Sequence, residues 1–505
     1  MVPMVSSALR ARLDLVSAVQ AEAAEVPDGY ALLPKTPLDL AASDEVVAQA
    51  ILADLSSGLA SANNFRAVGA PVVSASKWRF GRRPAVGLTF PQRVLYRSLV
   101  AALGDRLAEP RSPGSHERFV NGPIQSDVVN QYVVTTDIGH YYATLNLALL
   151  TGELIDRTGE WEVAKTLEDV LRSFSPQTGG LPQGNRSSDR LGDTYVETLG
   201  HRLTRAGIEC WWYADDFRIV APSYAGAVRA LDVLDVECRS MGLFVNERKT
   251  WISSRARYEE LLGEPTTAFT EAWESKREEL SWVDPYSDIE LAPDDAAVLS
   301  SIALDELEAW SRRVDDFVRE PGLEASARLD LGLVLALLTA SKEKEGLRHI
   351  PALLRVEPQH TPVACRYLGE LLRKEAGEAW VAAAQAIKVE SLTDWQRLWL
   401  LDSFALPVPN PLPWEPQEEI RDWTLSMNGA TNEILRTHAV WVSGVQGHLR
   451  RAQWESAARG ASRYGELGLA AASALVPDLP PKALYTDVLS RSLHSWTENH
   501  YVEDE

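Results

Sequence analysis

Between residues 130 and 260 the apolar positions change period several times. Short β-prone runs, among them Val133-Val134-Thr135-Thr136, Cys210-Trp211-Trp212-Tyr213 and Phe217-Arg218-Ile219-Val220, alternate with helix-like stretches. Aromatic and β-branched side chains suit a pleated surface, so these runs are expected strands. The alternation predicts an α+β domain. Two of the runs meet at Ala214-Asp215-Asp216, which predicts a hairpin with the acids at its tip. The run from Val133 delivers one further carboxylate, Asp137, at its end. Gly179-Gly180-Leu181-Pro182-Gln183-Gly184-Asn185 reads as a Gly/Pro loop leading into a helix.

The flanking pattern differs. Residues 1–60 carry helix formers, as in Asp39-Leu40-Ala41-Ala42 and Val46 to Leu52. Residues 66–100 read as a short basic β-region and then a helix, with Pro91 in its first turn and Val94, Leu95 and Leu99 on its apolar face. After about residue 262 strand signals fade. Leu307, Trp310, Val314 and Phe317 keep helical spacing, as do Trp395, Leu398 and Trp399. Thr361-Pro362 reads as an N-cap with Pro at the first helical position, ahead of Val363, Tyr367, Leu368, Leu371 and Leu372. Two architectures fit this half: an α-solenoid of paired helices, or an irregular helical domain. Pro407, Pro409, Pro411, Pro413 and Pro416 read as an extended connector. The expected segments are a helical extension over 1–65, an α+β region over 66–260 and an acidic all-α region over 261–505.

Charge sharpens this division. The net charge of −21 argues against a general nucleic-acid binder. Residues 1–260 carry only −4 of it, and residues 261–505 carry −17. From Arg66 to Arg97 there are seven basic residues and no acid, the one obvious polyanion-facing stretch. There is no uninterrupted apolar run of about 18 residues, so no membrane span is expected. Met1 to Gln20 lacks the apolar core of a signal peptide. The cysteines, Cys210, Cys238 and Cys365, are far apart and form neither a metal spacing nor a disulfide framework, which fits a reducing cytoplasm.

The acids carry the chemistry. Folding has no use for adjacent carboxylates at a hairpin tip, because they repel and resist burial. A divalent cation removes the problem and gives the pair a purpose.

Four blocks in order, within about 115 residues, resemble the palm of a reverse transcriptase. They are Asp137-Ile138-Gly139-His140-Tyr141-Tyr142, Leu181-Pro182-Gln183-Gly184, Tyr213-Ala214-Asp215-Asp216 and the stretch around Lys249. The resemblance implies two Mg²⁺ ions, with Mn²⁺ as a substitute, held by Asp137, Asp215 and Asp216. It implies a steric gate at Tyr142 that prefers deoxynucleotides, with Tyr141 as the fallback if the register shifts by one. Gln183 and Gly184 would meet the template or the incoming base. Lys249 would sit near the departing pyrophosphate. Arg83-Pro84-Ala85-Val86 resembles the Arg-Pro segment of the fingers, which places Arg83 near the triphosphate with Arg79 and Lys77 as helpers. Arginine suits that task because its planar fork binds phosphate bidentately.

Departures narrow the resemblance. The C-terminal half has no set of acids like that of RNase H, no Cys/His nuclease pattern, and no Val-Thr-Gly after Thr250. A polymerase fused to a HEAT-like helical-repeat domain resembles the bacterial abortive-infection and defence-associated reverse transcriptases. That implies anti-phage defence, a closed homo-oligomer, and DNA synthesis from dNTPs without a supplied template or primer, the DNA product attached through a tyrosine. Tyr30, Tyr485 and Tyr501 are the accessible-looking tyrosines. A small structured RNA is a partner of some relatives. Two other readings stand beside this one: a templated RNA-directed DNA polymerase, and an idle palm that serves as scaffold for a protein-sensing helical domain.

Overall fold

The computed structural model describes residues 5–25, 32–60, 70–109, 111, 113–128, 131–174, 179–263, 293–319, 331–374, 377–407, 415–477, 479 and 487–502. The chain forms two compact units that do not follow chain order. Unit 1 holds Met1–Ala18, Ser56–Ala70 and Gln92–Glu264; unit 2 holds Val19–Leu55, Pro71–Pro91 and Pro265–Glu505. This partition differs from a division at 66 and 260, because the basic segment 71–91 groups with the late helices.

Unit 1 is built on a four-stranded antiparallel sheet of order β4-β5-β3-β6. Its strands are β3 (Tyr132–Asp137), β4 (Glu209–Tyr213), β5 (Asp216–Ala221) and β6 (Trp251–Ser254). Three of them are the expected runs. β6, Trp251-Ile252-Ser253-Ser254, is a four-residue strand at the sheet edge with only two β-prone apolar residues, too short a run to signal a strand. Cross-strand partners share a face. The register Val133↔Val220, Thr135↔Arg218 and Asp137↔Asp216 therefore puts both acids on one face with Trp211 and Tyr213. The opposite face carries Val134, Phe217, Ile219 and Trp212.

Helices cover both faces. The helix Arg186–Arg205 takes Trp212 against Gly200, where an added Cβ would stand 2.4 Å from the indole. Helix Tyr224–Ser240 also packs on β5 and β3. On the acid-bearing face the helix Pro113–Gln125 takes Trp211 against Gly122, again with 2.4 Å for an added Cβ. Each tryptophan brings roughly 150–250 Å² to such a contact. Ile124 of the same helix joins Val133, Val220 and Tyr258 in one apolar cluster. Val94, Leu95 and Leu99 are buried, as the helical spacing predicts.

Unit 2 contains the hairpin β1 (Val72–Ser76) and β2 (Arg82–Val86) and a long series of helices. Helices Pro293–Ser311, Leu331–Ser341, Thr361–Leu372, Asp394–Ser403, Glu433–Val445, Arg463–Ser473 and Val488–Tyr501 each pack on the next of this set. Val314–Arg319, Ile350–Val356, Gly377–Ala386 and Glu415–Met427 form a second row in the same way. Leu307, Trp310, Val314, Trp395, Leu398 and Trp399 are buried, as are the apolar residues after Thr361. One cap differs from expectation. Thr361 is the first helical residue and donates to the Pro358 carbonyl at 2.6 Å. The short 3-10 turn Pro358–His360 runs straight into the helix, so no side-chain cap is made. The Pro-rich connector lies mostly outside the described residues, as do Arg66, Tyr30, Tyr485 and the side chain of Phe317. Pro416 sits in the first turn of Glu415–Met427, where its missing N–H is harmless. Among the described residues no helix is long and apolar enough to cross a membrane.

Candidate active site

β4 ends at Tyr213 and β5 begins at Asp216, with Ala214 and Asp215 as the turn between them. Ala214 has φ 52° and His140, just after β3, has φ 51°. The left-handed region costs an ordinary residue about 1 kcal/mol, and it is used here in both acid-bearing turns. The two turns are tied together, the Ile138 amide donating to the Asp215 carbonyl at 2.9 Å.

Asp137 and Asp216 are direct cross-strand partners. Like charges so placed are destabilising. Asp137 is only 3% exposed. Its Oδ2 accepts from Lys249 Nζ at 2.7 Å, while its Oδ1 is buried with no hydrogen-bond partner. Leaving such an atom unsatisfied costs about 1–3 kcal/mol. Burial, then the neighbouring Asp215, raise the Asp216 pKa above the ordinary carboxylate value; Arg218 and Lys249 only partly oppose this. Burial works against the Lys249 charge, but the Asp137 hydrogen bond and the three acids hold its pKa above the ordinary value.

The segment carrying Lys249 is fastened to β3. The Asn246 amide donates to the Asp137 carbonyl at 2.9 Å and the Gly139 amide to the Phe244 carbonyl at 2.8 Å. Thr136 and Thr250 share a hydroxyl hydrogen bond of 2.6 Å. Lys249 closes the 3-10 turn Glu247–Lys249 and is thereby aimed back at the acids.

Tyr141 and Tyr142 open the short helix Tyr141–Thr144. Tyr141 is buried and donates its hydroxyl to the Gly192 carbonyl at 2.5 Å. Tyr142 is partly exposed and donates to Asp189 Oδ1 at 2.5 Å. The Gly/Pro loop lies against the same residue. The Leu181 amide donates to the Tyr142 carbonyl at 2.8 Å, and a Cβ on Gly180 would stand 2.2 Å from that carbonyl oxygen. Gln183 is partly exposed, Gly184 is exposed, and Asn185 caps the following helix through the Ser187 amide. Within unit 1 the carboxylates are thus joined to Lys249, and Tyr142 to the Gly/Pro loop.

Arg83 lies on β2, and Lys77 and Arg79 on the turn before it, in unit 2. The charge of Arg79 acts on Glu357, a carboxylate 1% exposed whose pKa burial raises, opposed by Gln359 and Arg79.

Sequence reading passed over three residues of unit 1. Arg111 bonds Asp193 through Nε at 3.1 Å and Nη2 at 2.6 Å, and reaches the Tyr142 hydroxyl at 3.3 Å. Asp189 and Asp193 are one helical turn apart after the Gly/Pro loop, a spacing that puts both on one face and was the only available signal. Next to them is a cavity of about 650 Å³ lined by Arg111, Arg118, Phe119, Asp193, Trp211 and Tyr213.

An antiparallel sheet that presents acids at one end, backed by two helices, with a Gly/Pro loop against the tyrosine that follows Asp137, has the form of a polymerase palm. The family described as reverse transcriptase (RNA-dependent DNA polymerase) matches residues 81–280. No curated protein matches the chain. The chain carries a palm and fingers of reverse transcriptase type and is an RNA-directed DNA polymerase-like nucleotidyltransferase. Enzymes of this class use divalent metal ions, typically Mg²⁺. Among the described residues no three His, Cys, Asp or Glu side chains converge into a closed cage. Mg²⁺ seldom uses one, being held by one or two carboxylates, waters and substrate phosphates. The unpartnered Asp137 Oδ1 beside Asp216 fits that pattern.

Proposed function

We propose that the enzyme polymerises deoxynucleotides in anti-phage defence, without a supplied template and with one of its own tyrosines as primer. Asp137, Asp215 and Asp216 hold two divalent ions in this reading. The ions supply Lewis-acid stabilisation of charge on the phosphates. Lys249 releases Asp137 and sits by the departing pyrophosphate. Tyr142 lies under the sugar and excludes a 2′-hydroxyl. Gln183 and Gly184 face the base, and Arg83, Arg79 and Lys77 face the triphosphate.

The observation that carries the polymerase reading is the buried, unpartnered Asp137 Oδ1 opposite Asp216. The finer reading draws support from three further points. The late helices pack in two rows in chain order, as a HEAT-like repeat would. The polymerase half is nearly neutral, which suits a weak demand for long template duplex. The helix Pro113–Gln125 already covers much of the acid-bearing face of the sheet, with Phe119 and His116 against Tyr213.

The second reading, a templated RNA-directed DNA polymerase, is favoured by the family match itself. One labelling reaction separates the two. The protein is incubated with Mg²⁺ and one labelled deoxynucleotide at a time, beside an Asp215→Asn/Asp216→Asn control. Products run on a denaturing gel with and without protease. Label that stays with the protein until protease treatment supports self-priming. Label only after a primed RNA template is added supports the templated reading. Silence under every condition would leave the palm as a scaffold for the helical half.

A further inference from the structure

Tyr142 is not simply packed in place; its hydroxyl is held from two sides. Asp189, on the helix Arg186–Arg205, accepts the hydroxyl proton at 2.5 Å. Arg111 donates to the same oxygen at 3.3 Å. Arg111 is itself held by Asp193, one helical turn beyond Asp189, at 2.6 and 3.1 Å. The guanidinium also lies 5.4 Å from the centroid of the Tyr213 ring. One arginine therefore joins the aromatic after Asp137 to the aromatic before Asp215. Burial and the Asp189 carboxylate push the Tyr142 hydroxyl well above its ordinary pKa, so it stays protonated and keeps donating. Burial opposes the charge on Arg111, but the Asp193 bond holds it strongly protonated.

We infer that Asp189 and Arg111 are positioning residues for sugar selection: by anchoring the Tyr142 hydroxyl they fix the ring that discriminates between deoxy- and ribonucleotides. The inference rests on the reading of Tyr142 as the gate. The physical argument is rotational. A tyrosine ring turns about two torsions; its contacts with Gly192 and, edge-on, with Tyr141 act on the ring, whereas the Asp189 and Arg111 bonds act on its far end. Bonds at the far end resist a swing of the ring, because any other rotamer breaks charge-assisted hydrogen bonds. A gate excludes a 2′-hydroxyl only if it holds its ground against the clash. Asp193 acts one step further out, by holding Arg111 at the right height.

The test compares dNTP with rNTP for the full-length protein. Steady-state kcat/KM is measured for both, and equilibrium binding of each in Ca²⁺. The variants are Tyr142→Phe, Asp189→Ala, Arg111→Gln, the Tyr142→Phe/Asp189→Ala pair, and Tyr142→Ala. Tyr142→Phe keeps the ring and tests the anchor even where Asp189→Ala fails to fold. Each single anchor variant should lower the dNTP-over-rNTP ratio about tenfold, the rNTP KM moving more than kcat. The pair should do no more than Tyr142→Phe alone, because that variant already removes the Asp189 bond. A ratio unchanged in Tyr142→Phe and Asp189→Ala but collapsed in Tyr142→Ala overturns the anchoring inference and leaves the gate standing. A ratio unchanged in Tyr142→Ala overturns the gate reading and the inference with it.

Discussion

Each unit contains a cluster of acids, and the two are finished differently. In unit 2, Arg463 bridges Asp54 and Asp487 at 3.1 and 3.2 Å. Asp487 also caps the Val488–Tyr501 helix, accepting from the Ser490 amide and hydroxyl. Burial opposes its charge, but those bonds bring its pKa down to about 2. In unit 1 Asp137 has one half-exposed lysine on its Oδ2 and no partner on its buried Oδ1, and the raised Asp216 pKa is only partly opposed by Arg218 and Lys249. A fold that needs acids only for structure gives them arginine and backbone amides. The buried Asp137 Oδ1, opposite Asp216 at the end of the sheet, is open to a group from outside the chain.

The contrast breaks first on activity. Asp137→Asn, or Asp215→Asn with Asp216→Asn, should cut labelled nucleotide incorporation by at least about 10³-fold, since charge stabilisation dominates phosphoryl chemistry. Asp487→Asn should leave that initial rate within about twofold. Equal losses from both clusters would end the distinction.

Next in size is the loop against Tyr142. Gly180 has φ 69° and no room for a Cβ, because the obstacle is backbone. Gly180→Ala should cost about 2–3 kcal/mol. Gly179 has φ 64° but open space around it, so Gly179→Ala should cost only about 1 kcal/mol. Urea melts of the two variants give the difference, and equal midpoints would show that the carbonyl contact is not restrictive.

A smaller effect is expected at the satisfied cluster. Arg463→Ala should cost about 1–2 kcal/mol, discounted from a fully buried pair because these side chains are about a third exposed. The sign with pH follows from the lowered Asp487 pKa. Its contribution is present above the ordinary carboxylate value and is lost as pH falls from about 4 to about 2. The variant should lose less stability over that window than the wild type.

The smallest effect has the opposite sign. The raised Asp216 pKa means that ionisation works against folding: the cost is absent below the ordinary carboxylate value and full above the raised one. In metal-free buffer at neutral pH, Asp216→Asn should raise Tm by about 1 °C, and the gain should vanish in acid. Added Mg²⁺ or Mn²⁺ should raise the wild-type Tm and leave the variant nearly unmoved. A variant that melts lower than wild type without metal would contradict the reading of an unsatisfied site.

Local signals were enough for much of this. A β-prone run, two adjacent acids and a second run specify a hairpin with acids at its tip, because strand propensity and charge repulsion act over a few residues. The late helices were legible for the same reason, through Trp395, Leu398, Trp399 and their like. Other features needed the third dimension. The helix Pro113–Gln125 contains Gly and an internal Pro and has no helical signature of its own; it holds because Gly122 accepts the Trp211 indole. β6 is a strand because Val133 and Thr135 offer it an edge. The placing of residues 71–91 with the late helices follows from contacts such as Gly87 with Ile434 and Tyr464. The anchoring of Tyr142 by Asp189 and Arg111 joins residues 31 and 47 apart along the chain. By itself the sequence determined which residues carry charge, which runs extend or coil, and that three acids occur in polymerase order. Tertiary structure alone decided that one oxygen of Asp137 goes unsatisfied and which side chains hold the Tyr142 hydroxyl, because burial and hydrogen-bond partnership belong to neighbours in space, not in sequence.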